Sequence, residues 1–74
     1  MRVSEFRQAV LDEFGAGYGR VVTGDLVLSE FGGRTAEQSI EAGEDAREVW
    51  LALCRASDVP ESRWYGVGLP QPRS

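Results

Sequence analysis

The sequence has no histidine, no lysine and a single cysteine, Cys54, among its 74 residues. One cysteine cannot form an intramolecular disulfide, and zinc sites draw most of their ligands from cysteine and histidine. No side chain pairs as a nucleophile with a base, which covalent catalysis requires. We therefore expect no catalytic residue, no metal site and no cofactor, and we predict that the protein is not an enzyme.

Long apolar runs are absent as well. No stretch approaches the roughly 18 apolar residues of a membrane helix, and the N-terminal Met-Arg-Val-Ser-Glu-Phe lacks the apolar region of a secretion signal. We expect a cytoplasmic protein that does not associate with membranes. A chain this short builds one core worth roughly 3–5 kcal/mol, so weak self-association would bury useful additional surface.

Charge of one sign predominates. The chain has 12 acidic residues against 8 basic ones, all arginine, and a net charge of −4. Such a chain repels a phosphate backbone unless its arginines gather on one face. Nucleic acid is therefore not the expected partner. The exclusive use of arginine is typical of a GC-rich coding sequence and says little about function.

The spacing of apolar residues predicts three main helices. The first begins after Ser4, a favourable N-cap residue, and ends at Gly15. Its apolar side chains fall on one face at helical spacing. They are Phe6, Ala9, Val10 and Phe14.

A second helix is predicted from Ala16 or Tyr18 to Ser29. The residues expected on its buried face are Tyr18, Val21, Val22, Leu26 and Leu28. A strand over residues 20–28 is the alternative. We reject it because a Thr-Gly-Asp sequence interrupts any two-residue alternation and no partner strand is visible.

Two capping boxes predict the next helix starts. Thr35 with Gln38 begins a short helix that ends at Gly43, and Asp45 with Glu48 begins the third main helix, 46–57. Apolar residues of this third helix recur at i, i+3, i+4, i+7 and i+8. They are Ala46, Val49, Trp50, Leu53 and Cys54.

Together these elements predict an all-α fold. It is a small bundle of three main helices plus one or two short helices, the last a turn that begins at Pro60. Residues 1–65 form a single helical domain. Residues 66–74 contain two glycines and two prolines and are predicted to be a flexible C-terminal tail.

The residues around Gly43 have the spacing of a helix-turn-helix motif. Gly43 lies at the turn, Ser39 precedes it by four residues and Val49 follows it by six. Two features argue against DNA: Gln38 occupies a usually apolar position, and acids crowd the start of the recognition helix. These acids are Glu44, Asp45 and Glu48. A helix-turn-helix-like DNA-binding domain using the 46–57 helix is kept as the alternative function.

Two polar side chains lie beside predicted apolar faces. Cys54 has no histidine or lysine nearby to lower its pKa, so we interpret it as a small core residue and not as a reactive thiol. Asp25 follows Val21 by four residues. We predict an ion pair between Asp25 and Arg34 or Arg47 in preference to a catalytic role.

Several motifs resemble those of a family of short actinobacterial proteins of unknown function. They are Arg2-x-Ser4-Glu5-Phe6, Glu13-Phe14-Gly15, Asp25-x-Val27-Leu28, Gly32-Gly33-Arg34-Thr35-Ala36, Arg47-Glu48-Val49-Trp50-x-Ala52-Leu53-Cys54 and Asp58-Val59-Pro60. The chain departs from the family pattern at Ala46, where proline is common, and at Ser39, where alanine is common. Because genes of this family often lie beside those of the recombinase RecA and its regulator RecX, the resemblance implies an association with DNA repair.

We predict a non-enzymatic protein-interaction module whose partner the sequence does not identify. Its candidate contact residues combine guanidinium forks with an aromatic ring. They are Arg34, Arg47, Arg63 and Trp64. For Trp64 the alternative is that its ring folds back against the core, which we favour slightly. A contiguous basic face around the 46–57 helix would favour DNA, whereas scattered or ion-paired arginines would favour protein contact.

Overall fold

A computed structural model describes residues 1–65 of the chain. These residues form four helices, two short strands and two 3₁₀ turns. In chain order they are α1 (Val3–Phe14), α2 (Ala16–Gly24), β1 (Val27–Leu28), the turn Ser29–Phe31, β2 (Arg34–Thr35), α3 (Ala36–Glu41), α4 (Ala46–Ala56) and the turn Glu61–Arg63. The fold is mostly helical, as predicted, but the sheet contradicts a purely all-α class. The predicted flexible tail, residues 66–74, lies outside the described residues.

Helix α1 begins two residues earlier than predicted. Its N-cap is Arg2, and the Glu5 carboxylate accepts a hydrogen bond of 2.7 Å from the Arg2 backbone N–H. This bond is the part of a capping box in which the N3 side chain accepts from the N-cap N–H, and Ser4 lies inside the helix instead of capping it. The predicted end at Gly15 is confirmed, since this residue has φ of 82° and follows the last helical residue.

The second helix is shorter than predicted. Helix α2 ends at Gly24, and the chain then forms an antiparallel pair in which Val27 faces Thr35 and Leu28 faces Arg34. Two glycines with positive φ, Gly32 and Gly33, close this hairpin. Rejecting a strand over all of residues 20–28 was correct, since residues 20–24 are helical, but a strand does form at Val27–Leu28, and its pairing partner was not foreseen. A strand of two residues cannot display the alternation on which that rejection relied.

Helix α2 also presents a different face to the core. Its buried residues are Gly19, Val22 and Thr23. The Cβ of an alanine at Gly19 would lie 3.0 Å from Val10 Cγ1, so α1 and α2 approach closely at this glycine. Because that face turns inward, Tyr18 and Val21 face outward, and their predicted burial was wrong.

Helix α4 supplies the centre of the core. All five residues of its predicted apolar stripe are buried, which confirms that prediction. The Trp50 ring packs edge-on against Phe6 and Phe14, with 6.4 Å between ring centroids in both pairs. Helices α1 and α3 and strand β1 all contact α4. The burial of these large aromatic and aliphatic groups supplies most of the favourable free energy of folding.

The two capping boxes have different outcomes. At α3, the Thr35 hydroxyl accepts from the Gln38 N–H at 3.2 Å, and the Gln38 side-chain oxygen accepts from the Thr35 N–H at 2.9 Å. This box is confirmed. Helix α4 begins after Asp45 as predicted, but the Asp45 side chain makes no capping hydrogen bond. The Asp45 box is therefore absent although the helix start is correct.

Candidate interaction surface

The four predicted contact residues do not form one cluster. Arg34 Nε donates to the carbonyl oxygen of Phe31 at 3.0 Å, and its guanidinium lies 2.6 Å from the Glu44 carboxylate. Arg63 lies 3.2 Å from Glu13. Arg47 is exposed on α4, and within residues 1–65 it makes no ion pair. Two of these three guanidiniums are thus already engaged within the chain.

Trp64 folds back against the domain. Its Nε1 donates to the carbonyl oxygen of Val59 at 2.8 Å, and its own carbonyl oxygen accepts from Trp50 Nε1 at 2.7 Å. The Arg55 guanidinium carbon lies 5.9 Å from the centroid of the Trp64 ring, within the range of a cation–π contact. The ring is half-buried. This arrangement agrees with the alternative in which Trp64 covers the core.

Ion pairs tie distant segments together. Besides the pairs of Arg34 and Arg63, Arg7 of α1 pairs with Glu37 of α3, and Arg55 of α4 pairs with Glu30 at 2.5 Å. The hydrogen bonds from these arginines hold the pKa values of Glu37 and Glu30 below their ordinary value and raise those of Arg7 and Arg55. These four arginines are therefore distributed over the surface, and each is paired with a glutamate.

The turn between α3 and α4 keeps the spacing predicted for a helix-turn-helix. Gly43 has φ of 87° and ends the turn after α3, while Ser39 and Val49 are completely buried. The Ser39 hydroxyl donates to the carbonyl oxygen of Thr35 at 2.9 Å, which explains why a small polar residue fits there. Asp45 and Glu48 are exposed at the N-terminal end of α4, where a recognition helix would meet phosphates.

Cys54 is completely buried on the inner face of α4. Desolvation is the main cause that raises the pKa of its thiol to about 12, and the charge of Glu13 acts in the same direction. A thiol with so high a pKa holds almost no thiolate at neutral pH. The interpretation of Cys54 as a small core residue is confirmed.

An open groove with both polar and apolar lining residues runs between the C-terminal ends of α2 and α4. This α2–α4 groove has a volume of about 440 Å³, and its lining includes Tyr18, Val21, Asp25, Leu26, Ala56 and Asp58. The Tyr18 side chain is 60% exposed and that of Val21 is 48% exposed. Large apolar side chains that remain in water beside a concavity are typical of binding surfaces.

A second groove adjoins the first. Its volume is about 550 Å³, and it lies between β1 and α4 with Val27, Ala52 and Arg55 in its lining. Ala56 lines both grooves, so they adjoin at the C-terminal end of α4. Val27 is 59% exposed on this surface. The Arg55–Glu30 ion pair lies at its rim.

Comparison with known proteins identifies the family but not the activity. Residues 1–62 match the family described as "Protein of unknown function (DUF3046)". The chain belongs to this family. A Mycobacterium tuberculosis protein provisionally named an envelope-preserving system protein is 53% identical over 38 residues. That match covers 51% of this chain and 14% of the relative, so the chain spans a small part of that protein's length. No solved structure matches the chain.

Membership of DUF3046 confirms the predicted family of unknown function. The mycobacterial relative agrees with an actinobacterial origin. The neighbourhood of the RecA and RecX genes stays a prediction. Within residues 1–65, no helix is long and apolar enough to cross a membrane, and no three potential metal-binding side chains come together there.

Sequence reasoning missed the residues that line the grooves. Tyr18 and Val21 were assigned to the core, and Asp25 was expected to pair with an arginine. Within residues 1–65, Asp25 forms no ion pair, because Arg34 pairs with Glu44 instead. A signal was available in α2, where Gly19 and Thr23 are small residues four positions apart. Such a pair favours close helix approach and would have turned Tyr18 outward.

Proposed function

We propose that this protein is a non-enzymatic, cytoplasmic interaction module that binds a protein partner. One observation carries the proposal: Tyr18, Val21 and Val27 hold large side chains in solvent along two adjoining grooves, although residues 1–65 have a packed core elsewhere. Exposed aromatic and branched side chains beside a concavity are the chemistry of protein interfaces. The ion pairing of four arginines also fits protein contact better than a basic DNA-binding face.

The biological process that we propose is based on the gene neighbourhood of the family and on the name of one relative. The resemblance implies DNA repair, so the recombinase RecA and its regulator RecX are the first partners to test. The name of the mycobacterial relative suggests a second process to test, an envelope-preserving system. Of the four residues predicted from sequence, Arg47 keeps an unengaged guanidinium within residues 1–65, and we retain it as a peripheral contact. The other three side chains make contacts within the chain: Arg34 pairs with Glu44, Arg63 pairs with Glu13, and Trp64 donates to Val59.

The alternative is a helix-turn-helix-like DNA-binding domain that uses α4. The turn at Gly43 and the burial of Ser39 and Val49 favour it. The exposed carboxylates of Asp45 and Glu48 oppose it, because each would have to approach the phosphate backbone. We therefore rank DNA binding second.

Amide chemical shifts of the isotope-labelled chain separate the two functions. We expect RecA or RecX to shift the amides of α2, β1 and the C-terminal end of α4, with little effect of salt. Duplex DNA is added separately at low and at physiological salt. Salt-sensitive shifts along the N-terminal half of α4 would support the DNA alternative and contradict our ranking.

A surface variant strengthens this test. Changing Tyr18→Ala and Val21→Ala together removes exposed apolar area from α2 without entering the core. We expect partner binding to weaken at least about tenfold, as for central interface residues. Arg47→Ala on α4 serves as the control and should change affinity by less than about threefold. Equal effects of the two changes would contradict the groove as the binding surface.

A further inference from the structure

We infer that the α2–α4 groove binds a segment of a partner protein in which an arginine or lysine side chain stands between apolar ones. This inference rests on the proposed function and names the chemistry of the partner. The charged residues of the groove lining carry this inference. Two carboxylates, from different segments of the chain, lie on it: Asp25 and Asp58.

Both carboxylates stand at the C-terminal end of a helix. Asp25 is the C-cap residue of α2, and Asp58 follows Ser57, the C-cap residue of α4. A helix C-terminus carries partial negative charge and favours cations, so an aspartate there is electrostatically unfavourable by itself. The two helix ends and the two side chains therefore direct negative potential toward one groove. A cation bound in the groove would relieve this repulsion.

Neither aspartate is neutralised within the described chain. Among residues 1–65, the four ion pairs engage Glu13, Glu30, Glu37 and Glu44, and none includes Asp25 or Asp58. Both aspartates are exposed. The groove thus keeps the charge of both carboxylates available to a partner.

The backbone at Asp58 has an unusual conformation for a residue other than glycine. Five residues in the described chain have positive φ, and four of them are glycine. Asp58, with φ of 57°, is the exception, and it lies on the groove. Glycine would adopt this conformation without strain. Retaining an aspartate here keeps a carboxylate at the groove despite its conformational and electrostatic cost.

Within residues 1–65, a side-chain hydroxyl without a hydrogen-bond partner lies next to Asp58, at Ser57. Ser57 lines the groove, and its buried hydroxyl has no hydrogen-bond partner. Nearly all buried hydroxyls in folded proteins are satisfied. Because this hydroxyl is buried, a rotation of the Ser57 side chain would be needed to present it to a donor in the groove, whereas the exposed aspartates accept such a donor directly.

The remaining lining selects the type of cation. Tyr18, Val21 and Leu26 present mainly carbon, whereas a calcium or magnesium ion requires six or more oxygen ligands. A side-chain cation with apolar neighbours matches both the carboxylates and this apolar surface. A second copy of the chain is a poorer occupant, because two copies of net charge −4 repel each other.

The test uses the full-length labelled chain and a short capped peptide in which arginine alternates with leucine. We expect shifts in residues 18–26 and 56–58. Asp25→Asn and Asp58→Asn should each weaken binding by about three- to tenfold at low salt, because each removes one charge near the bound cation. Glu48→Gln is the control, since its position lies about 12 Å along α4 from Ala56 by helix rise. It should leave affinity unchanged.

Two further peptides separate this inference from the proposed function. Glutamate replaces arginine in one, and serine replaces leucine in the other; both should bind much more weakly. If the glutamate peptide binds the groove equally well, or if both asparagine variants bind like wild type, the charge inference is wrong while the groove remains an apolar binding surface. Failure of the arginine–leucine peptide to shift residues 18–26 also overturns the inference. Failure of the Tyr18→Ala and Val21→Ala pair to weaken partner binding contradicts the proposed function instead.

Discussion

Trp50 Nε1 donates a 2.7 Å hydrogen bond to the backbone carbonyl oxygen of Trp64, 14 residues further along the chain. The bond fastens the turn Glu61–Arg63 to the central helix. Because Trp50 is 1% exposed, its indole N–H would otherwise be buried without a partner. The central tryptophan of the core therefore also fixes the end of the described chain.

Trp50→Phe should destabilise the domain by about 2–3 kcal/mol, since it removes this hydrogen bond and leaves a small cavity. Urea unfolding followed by far-ultraviolet circular dichroism measures the change. Trp64→Phe is the matched variant, because it removes the hydrogen bond of 2.8 Å to Val59 from a half-buried ring. It should cost about 1 kcal/mol. Equal costs would contradict a special role for Trp50.

Two glycines of the same helix should respond oppositely to alanine. At Gly19 the new Cβ would lie 3.0 Å from Val10 Cγ1, and Val10 is a buried residue whose branched side chain has few alternative rotamers. We expect Gly19→Ala to destabilise the domain by about 1 kcal/mol or more. A Cβ at Gly17 meets nothing within 4 Å, so Gly17→Ala should stabilise it by up to about 1 kcal/mol. A stable Gly19→Ala variant would contradict the close approach of α1 and α2.

The buried face of α4 could be predicted from the sequence, whereas that of α2 could not. Helix α4 has one apolar stripe with a clear period, and all of that stripe is buried. Helix α2 offers two competing faces, one containing Tyr18 and Val21 and the other containing Gly19 and Thr23. Hydrophobicity favours the first face, but contact between the helices at Gly19 selects the second. Periodicity alone could not decide between them.

The candidate site was less predictable than the helices. Asp25 and Asp58 are 33 positions apart in the sequence, and they share a groove only because the C-terminal ends of α2 and α4 meet. The end of α2 was itself predicted too late, at Ser29, because a hairpin with two-residue strands leaves no alternating pattern. The ion pairs of the arginines could not be predicted either, because their glutamate partners come from distant segments.

The two helix caps should differ in energy although their sequences look alike. Thr35→Ala removes a hydroxyl that caps α3 through the Gln38 N–H, and we expect a loss of about 1–2 kcal/mol. Asp45→Ala removes a side chain that makes no capping hydrogen bond at α4, so only its favourable interaction with the helix dipole is lost, about 0.5 kcal/mol. Thermal and urea unfolding measure both. A larger loss at Asp45 would show that its capping box forms in solution.

Acid should weaken the connection between α1 and α3. The hydrogen bond from Arg7 lowers the pKa of Glu37 below its ordinary value of 4.5. The pair therefore stabilises the fold above the unfolded-state pKa, and this contribution disappears as pH falls through the lower folded-state pKa. Because the pair is largely exposed, its contribution is below about 1 kcal/mol.

Stability measured from pH 6 to pH 3 checks this prediction. Glu37→Gln should lower stability near neutral pH and reduce the loss of stability on acidification. The control is Glu61→Gln, at an exposed glutamate that forms no ion pair within residues 1–65. An identical pH profile for wild type and Glu37→Gln would contradict the contribution of the Arg7–Glu37 pair.

Asp58 allows backbone strain and charge to be measured separately. Asparagine and alanine both remove its charge, but asparagine tolerates positive φ much better. With φ of 57° at this position, Asp58→Ala should be less stable than Asp58→Asn by about 1 kcal/mol. Asp58→Asn should in turn exceed wild type by about 0.3–1 kcal/mol, because it removes a carboxylate from the C-terminal end of α4.

Urea unfolding of the three proteins gives this order directly. If Asp58→Asn is more stable than wild type yet binds the arginine–leucine peptide more weakly, the aspartate costs stability and contributes to binding, a trade-off common at functional sites. If Asp58→Asn is less stable than wild type, the carboxylate stabilises the fold itself. Its position on the α2–α4 groove would then have a structural explanation, and Asp25 alone would favour a cationic partner.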